Sequence, residues 1–460
     1  MIFNDTIAAI ATPIGEGGIG IIRISGPSAK EIGLKILVNS KKDFFTEIQE
    51  RKVYHGLALN PVNQQLLDEV IFFYLRAPKS FTGEDTLEIQ AHGGVFTLSR
   101  ILEILLHNGA RMAEPGEFTQ RAFLNGRIDL VQAESIIDLI RAKTDKAHEL
   151  ALSQLTGRIS QSLSQIEKDL YQILITIEAT LDFPEEDIPD PEKEQIHSQA
   201  SKALLKLTAM LEGVDEGRKI RDGIRLVIVG RPNVGKSSLL NALVQEEKAI
   251  VTAIPGTTRD IIEAPFQLRG VPIRLIDTAG LRETENVIEQ MGIAKTELSI
   301  EQGDLIILVL DGSQPLAVED EQIIEKIKGR KTLVIINKTD LPQVLKKEAL
   351  PWFAKDRIIE LSLFTKKGLN LVEDRIIELV GLGEISLDDR PLLSRIRHKQ
   401  ALEQAIAALN EFISGLSAGR SEDLLAVDLH STLNSLGIIS GKNVSNEVIR
   451  GIFEQFCIGK

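Results

Sequence analysis

Leu226-Val227-Ile228-Val229-Gly230-Arg231-Pro232-Asn233-Val234-Gly235-Lys236-Ser237-Ser238-Leu239-Leu240-Asn241-Ala242-Leu243 decides how the middle of this chain folds. The first four residues are apolar and mostly β-branched, the composition of a buried strand. Residues 230–237 fit the pattern G-x-x-x-x-G-K-[ST], and Ser238 to Leu243 carries on as a helix. In that order, strand then loop then helix, the glycines let backbone N–H groups converge on phosphates while the helix N-terminus favours negative charge. Lys236 is then placed to reach the β- and γ-phosphates, and the Ser237 hydroxyl to ligate Mg²⁺.

Working outward, three more motifs follow in the order of a Ras-like GTPase domain. Asp277-Thr278-Ala279-Gly280 ends the apolar run Ile273–Ile276, so Asp277 can hold Mg²⁺ through water and Gly280 can sense the γ-phosphate. Asn337-Lys338-Thr339-Asp340 ends the run Leu333–Ile336. A carboxylate at Asp340 accepts from the N1–H and 2-amino group of guanine, which adenine does not offer, so the expected nucleotide is GTP. Ser362-Leu363-Phe364 falls where such domains carry a Ser-Ala-Lys-like base loop; it departs at its second and third positions, which leaves a backbone contact as the expectation. Gly256-Thr257-Thr258 supplies the switch threonine, with Thr258 as the second Mg²⁺ ligand. Leu281 stands where Ras-like switches place a water-orienting glutamine, and leucine cannot polarise water. Either turnover is slow or another group, among Arg282, Glu283, Glu285 and Glu289, handles the water.

The 460 residues, 43% hydrophobic, are enough for about three domains with cores of their own. Residues 218–382 alternate buried strands and helices, the pattern of a doubly wound, mostly parallel sheet. Residues 1–119 read as α/β, with strands at Ile19–Ile24 and Val70–Leu75 and a helix at Phe96–Leu106. Residues 120–217 are helical: Leu152, Leu155, Ile159, Leu163, Ile166, Leu170, Ile173 and Ile177 make one stripe on a single long helix. The acidic run Asp182–Pro189 reads as a solvated turn. A second helical part, residues 383–460, shows Leu402, Ile406, Leu409 and Ile413, then Val448, Ile452 and Phe456. Neither helical part hides its stripe alone, so one all-α domain interrupted by the α/β domain is expected.

Several classes are set aside. Met1–Gly15 has neither a basic leader nor a long apolar run, and no apolar stretch reaches the ~18 residues that cross a bilayer. With Cys457 as the single cysteine there is no internal disulfide, and a cytoplasmic location is expected. A net charge of −13 argues against broad adhesion to nucleic acid, so any RNA must be held by a partner or by a small local site. Gly15-Glu16-Gly17-Gly18-Ile19-Gly20 leads into a strand rather than a helix, which rejects a dinucleotide-binding reading.

The whole chain resembles the bacterial tRNA-modification GTPase family MnmE, also called TrmE. The resemblance is carried by Asn4–Ile7, Gly17–Gly26, Ser80-Phe81-Thr82-Gly83-Glu84-Asp85, His92-Gly93-Gly94, Pro115-Gly116-Glu117-Phe118-Thr119, Arg121–Gly126 and the final Cys457-Ile458-Gly459-Lys460. It implies an N-terminal folate-binding and dimerising domain, a split helical domain and an inserted GTPase domain, assembled as a homodimer. It further implies an FAD-dependent partner, MnmG, in a heterotetramer. Together the two proteins would add an aminomethyl or carboxymethylaminomethyl group at C5 of the wobble uridine of certain tRNAs. The donor would be 5-formyl- or 5,10-methylene-tetrahydrofolate.

On the same basis the nucleotide site extends over Thr252, Ala253, Ile254, Pro255, Thr278, Ala279, Val234 and Ser238. K⁺ would be held by Asn233, Thr252, Ile254 and Thr257, taking the place of an arginine finger, and Glu289 would position the attacking water. The folate site would comprise Arg23, Glu88, Arg127 and Lys460; most relatives have lysine where this chain has Arg127. Cys457, which its apolar neighbours mark as a buried structural cysteine, would instead sit near the modification centre. Two other readings stand beside this one. An RNA- or ribosome-assembly GTPase would share Asn233 and Leu281 but carry a compact basic module, and a folate-dependent transferase with a regulatory GTPase would work without GTP.

Overall fold

The computed structural model describes residues 4–182, 190–246, 266–276, 300–381 and 392–460. They form two compact units. One comprises Met1–Ile137, Ser160–Lys168 and His430–Lys460; the other comprises Asp138–Ile159 and Asp169–Leu429.

The first unit is built on a seven-stranded sheet. Its strands are β1 (Ile7–Ile10), β2 (Gly17–Ser25), β3 (Leu37–Val38), β4 (Val53–Leu59), β5 (Leu66–Leu75), β6 (Thr86–Gly93) and β7 (Arg111–Met112), in the order β3-β4-β5-β6-β2-β1-β7. All neighbours are antiparallel except β1 and β7. Ile22 and Ile24 on β2, Phe72 on β5, and Leu87 and Ile89 on β6 turn into one core, as the two-residue period of a strand requires. Helix α1 (Ala29–Leu34) and helix α2 (Val95–His107) close that core, α2 through Leu98, Ile101, Leu102 and Leu105. Beside it, helix α3 (Glu117–Leu124) carries Arg121, whose side chain is fully buried. Its guanidinium meets Asp5 at 2.8 Å, Glu117 at 2.9 Å and Glu84 at 3.2 Å. A buried cation is tolerable only with this degree of pairing.

In the second unit, strands β8 (Ile224–Val229), β9 (Phe266–Leu268), β10 (Val271–Leu275), β11 (Leu305–Asp311), β12 (Thr332–Asn337) and β13 (Ile358–Glu360) form a sheet ordered β13-β12-β11-β8-β10-β9. It is parallel except for the edge strand β9. Alternate residues feed opposite faces. Leu226, Ile228, Ile307, Val309, Leu333 and Ile335 enter one core; Val227, Val229, Ile306, Leu308, Val334 and Ile336 enter another. Burial on both sides explains why these strands read as unbroken apolar runs.

The helices differ from the sequence reading in three places. The expected single helix is two, α5 (Asp145–Leu155) and α6 (Arg158–Asp182), because Gly157 adopts a left-handed φ of 80°. Ile159, Leu163, Ile166, Leu170, Ile173 and Ile177 of α6 are buried, whereas Leu152 on α5 is exposed. Helix α7 (Asp190–Asp222) packs against the helix Ile396–Ser417, so the two helical stretches do meet. The buried face of Ile396–Ser417 is Leu402, Ala405, Leu409 and Phe412 rather than the expected Leu402, Ile406, Leu409 and Ile413. Small alanines fill the close contact, and Ile406 and Ile413 move to its margin. In the helix Asn446–Phe453, Ile449 and Phe453 are buried and Val448 is exposed. Phe456 joins them in a core with helix α4 (Leu130–Arg141), through Leu130, Ala133 and Ile137.

The expected boundaries at 119/120 and 217/218 fall inside α3 and α7, and that at 382/383 lies outside the described residues. The acidic turn also lies outside them from residue 183 to residue 189. No helix among the described residues is long and apolar enough to cross a membrane.

Candidate functional site

Strand β8 delivers the chain to Gly230, and helix α8 (Lys236–Glu246) begins at the lysine itself. The intervening loop needs unusual backbone: φ is 148° at Gly230, 63° at Asn233 and 104° at Gly235. At Gly235 a Cβ would lie 2.4 Å from Asn337 Nδ2, so only glycine fits. Lys236 Nζ donates to the carbonyls of Gly230 and Arg231, both at 2.8 Å, which folds the ammonium over the loop. Burial holds its pKa below the usual lysine value. Ser237 and Ser238 are exposed on the first turn of α8, and Asn233 is exposed at the tip of the loop, while Val234 is buried beneath it.

Asn337 is the strut between the phosphate loop and the base side. Its Nδ2 donates to the Val234 carbonyl at 2.9 Å, and its Oδ1 accepts from the Leu363 N–H at 3.3 Å. Lys338, at a left-handed φ of 64°, is tied to Asp311 at 2.7 Å. Burial pushes the Asp311 carboxyl up, but Lys338 and Ser313 outweigh it and hold the group below the usual carboxylate range. Asp340 is exposed, and its Oδ1 accepts from the Ser362 hydroxyl at 2.6 Å. Ser362 therefore acts through its side chain, where the sequence alone grants it only backbone, while Phe364 points outward at 88% exposure. Asp311 belongs to none of the sequence motifs; an aspartate ending an all-apolar strand next to a second such strand is the signal that could have found it.

These groups all follow the C-terminal ends of parallel strands, where an open α/β sheet binds its ligands. The exposed Ser237 at a helix start offers a hydroxyl to a small, hard cation such as Mg²⁺, and the exposed Asn233 offers an amide oxygen to a larger, weakly hydrated one such as K⁺. Thr252, Ala253, Ile254, Pro255, Gly256, Thr257, Thr258, Asp277, Thr278, Ala279, Gly280 and Glu289 lie outside the described residues.

A second constellation lies in the first unit. Arg23 on β2 stands opposite Glu88 on β6 in register, and Arg23 Nε reaches Glu88 Oε1 at 2.7 Å. The Phe81 ring is flanked by two guanidinium groups, Arg23 at 5.3 Å and Arg127 at 5.4 Å from its centroid. Arg127 also donates to the Phe81 carbonyl at 2.7 Å. The C-terminal segment reaches the same place: Lys460 O accepts from the Phe118 N–H at 3.2 Å, and Gly459 O lies 3.5 Å from an Arg23 nitrogen. Lys460 is half-buried; desolvation, then the Arg23 charge, lowers its pKa against the opposing pull of Glu88. So Arg23, Glu88, Arg127 and Lys460 do come together, around an aromatic ring that the sequence alone does not single out. Cys457 is exposed, which corrects the buried-cysteine expectation: the apolar burial stops at Phe456, one residue earlier.

Together, the doubly wound sheet and the loop at Lys236 define a P-loop nucleotide-binding protein of the GTPase class. Residues 6–127 match the family described as the GTP-binding protein TrmE N-terminus, and residues 130–457 match the MnmE helical domain. The tRNA modification GTPase MnmE of Desulforamulus reducens is 44% identical over 459 residues, 99% of this chain and all of that protein. Its counterpart in Geobacter metallireducens is 45% identical over 465 residues, covering the whole of both chains. That of Geobacillus kaustophilus is 43% identical over 99% of each. The chain belongs to the MnmE (TrmE) family.

Proposed function

We propose that this chain is a K⁺-stimulated GTP hydrolase that works in modification of the tRNA wobble uridine at C5. The observation that carries the GTP reading is the Asn337 strut. One side chain fixes the phosphate loop through Val234 and the base side through Leu363, and Asp340, held by Ser362, sits three residues away to accept from guanine. Full-length identity to relatives named tRNA modification GTPases supports the substrate.

In this reading Lys236 and the loop N–H groups hold the phosphates and offset charge as it develops on the transferred group. Ser237 and Thr258 hold Mg²⁺; Asn233, Thr252, Ile254 and Thr257 hold K⁺, which supplies positive charge near the phosphates. Glu289 orients the water that Leu281 cannot, and two copies of the chain pair to complete the site. The Arg23–Glu88 pair suits the 2-amino-4-oxo edge of a pterin, and Lys460 and Arg127 suit the anionic tail of a tetrahydrofolate. That cofactor, 5-formyl- or 5,10-methylene-tetrahydrofolate, would bring the one-carbon unit. The FAD-dependent MnmG would be the partner, and the exposed Cys457 lies one turn of chain from Lys460, near the one-carbon chemistry. Nucleoside analysis of tRNA from cells lacking the gene tests the substrate: loss of the C5 substituent is expected, and unchanged wobble uridines would overturn it.

A further inference from the structure

At the N-terminal ends of β11 and β12, the sheet of the second unit bears a cleft of about 370 Å³ lined by Asp215, Arg218, Lys219, Asp304, Arg330 and Lys331. The phosphate loop follows the C-terminal end of β8, and β8, β11 and β12 are parallel. The cleft is therefore a strand's length, roughly 20 Å, from the nucleotide site.

Its charges do not balance. Asp304 is shared between Arg218 at 2.7 Å and Arg225 at 3.3 Å, and it also accepts from the Arg225 N–H. Asp215 is paired with Lys399 at 3.2 Å. That leaves three lining cations without a carboxylate partner among the described residues. Lys219 is half-buried and donates only to the Val380 carbonyl, at 2.9 Å. Arg330 donates to the carbonyls of Ile300, Glu301 and Gly303, and exposed Lys331 makes no ion pair among the described residues. Burial, then the neighbouring charge of Lys331, lowers the Lys219 pKa, against the pull of Asp304 and Asp215. Like charges gathered in a partly desolvated cleft favour an anion.

We propose that this cleft binds a backbone phosphate of RNA. The lining contains no aromatic ring on which a base could stack. Its cations outnumber its carboxylates, and Arg218, Lys219 and Arg330 are fixed by their own hydrogen bonds, an arrangement that positions a backbone without reading sequence. A chain of net charge −13 has little general attraction for RNA, so a contact of its own with the polyanion calls for a local basic site of this kind. The inference rests on the tRNA function proposed for this chain and adds where the polyanion touches.

The test uses the full-length chain loaded with GDP, so that the phosphate loop is filled, and labelled tRNA titrated at several salt concentrations. Lys331→Gln is expected to weaken binding to all tRNAs alike and to make the log–log salt dependence shallower by about 0.9 for each phosphate no longer neutralised. Lys219→Gln is expected to act in the same direction. Lys328→Gln, at a lysine paired with Glu325 and outside the cleft lining, leaves binding unchanged. GTP turnover without tRNA stays at the wild-type rate in Lys331→Gln. If Lys331→Gln binds tRNA with the wild-type slope, the inference fails while the tRNA function survives. If inorganic phosphate protects Lys219 and Lys331 from amine-directed labelling but the tRNA slope does not move, the cleft takes a small phosphate and the RNA assignment is overturned. If the wild-type chain binds no tRNA and the wobble uridines of gene-deleted cells are unchanged, both readings fall together.

Discussion

Replacing Asp340 by asparagine changes one oxygen to an NH₂ and should move the preferred base from guanine to xanthine. The Ser362 hydroxyl sets the outcome: it donates to Asp340 Oδ1 at 2.6 Å, and it can donate only to the oxygen of an asparagine there. The new amide is thus turned with its NH₂ toward the base, facing the N1–H and 2-amino donors of guanine. Two hydrogen bonds to a charged acceptor disappear, at about 1.5–3 kcal/mol each. The sum, about 3–6 kcal/mol, corresponds to a loss of about 10²–10⁴ in GTP affinity. Xanthine carries a carbonyl in place of the 2-amino group, which the amide can serve, so XTP should recover much of the loss. Competition of GTP, XTP and ATP against a fluorescent nucleotide reads all three affinities. Wild-type GTP affinity in Asp340→Asn, or a gain for ATP equal to that for XTP, would refute the base-recognition argument. Ser362→Ala added to Asp340→Asn should blur the XTP preference, because nothing then orients the amide.

Exchanging Na⁺ for K⁺ should accelerate GTP hydrolysis strongly, and Asn233→Ala should abolish the difference; equal steady-state rates in the two salts would sink the proposed cation site. Gly235→Ala should cost nucleotide binding at least tenfold with little effect on the melting of the first unit, since its Cβ would press on the Asn337 strut and its φ is left-handed; calorimetric titration with GDP checks it. Arg121→Met should destabilise the first unit by about 3–5 kcal/mol in denaturant unfolding, because three carboxylates lose a fully buried partner. The same cluster fixes an acid dependence. Burial raises the Glu117 carboxyl, but Arg111, the Glu114 N–H and Arg121 outweigh it and hold it below the ordinary glutamate value. Its stabilisation is then complete above that ordinary value and lost as the pH falls through the lowered folded one. Thermal melts between pH 6 and pH 3 should show the decline in the wild type and a weaker one in Arg121→Met.

The phosphate loop is legible in the sequence because its signature is contiguous: Gly230, Gly235 and Lys236 stand at fixed spacing within one short stretch, even though Val309 and Asn337, far along the chain, crowd the two glycines. Asp340 is legible for the same reason. What escapes reading depends on partners far away in sequence. Asp311 holds Lys338 from 27 residues away, and Phe81 owes its place to Arg23 and Arg127 on separate elements. Periodicity locates the helices yet mistakes their details. The apolar stripe stays in phase across Gly157, so nothing in it announces the break between α5 and α6. On Ile396–Ser417 the tightest contact is made by alanines, which a search for large apolar residues passes over. The charge surplus beside Lys219 is invisible too, since it arises only when the start of β12 meets the last turns of α7.

Helix α7 ends at Asp222 and strand β8 begins at Ile224, with Gly223 alone between them at a left-handed φ of 90°. A helix of 33 residues is about 50 Å long, so α7 is a pointer rooted at the first nucleotide-binding strand, tied there through Arg218 and Lys219 and packed along the helix Ile396–Ser417. A rotation of about 10° at that joint would sweep its far end through about 9 Å, given the same rise per residue. Any such rotation would have to carry the packed helix Ile396–Ser417 along with α7, so a small change at the joint would become a large one at the far end only if the two helices moved together. Spin labels at Glu194 and Arg274 would read it as a shift in separation between GDP-bound and GTP-analogue-bound forms, and an unchanged separation would show that the pointer is locked.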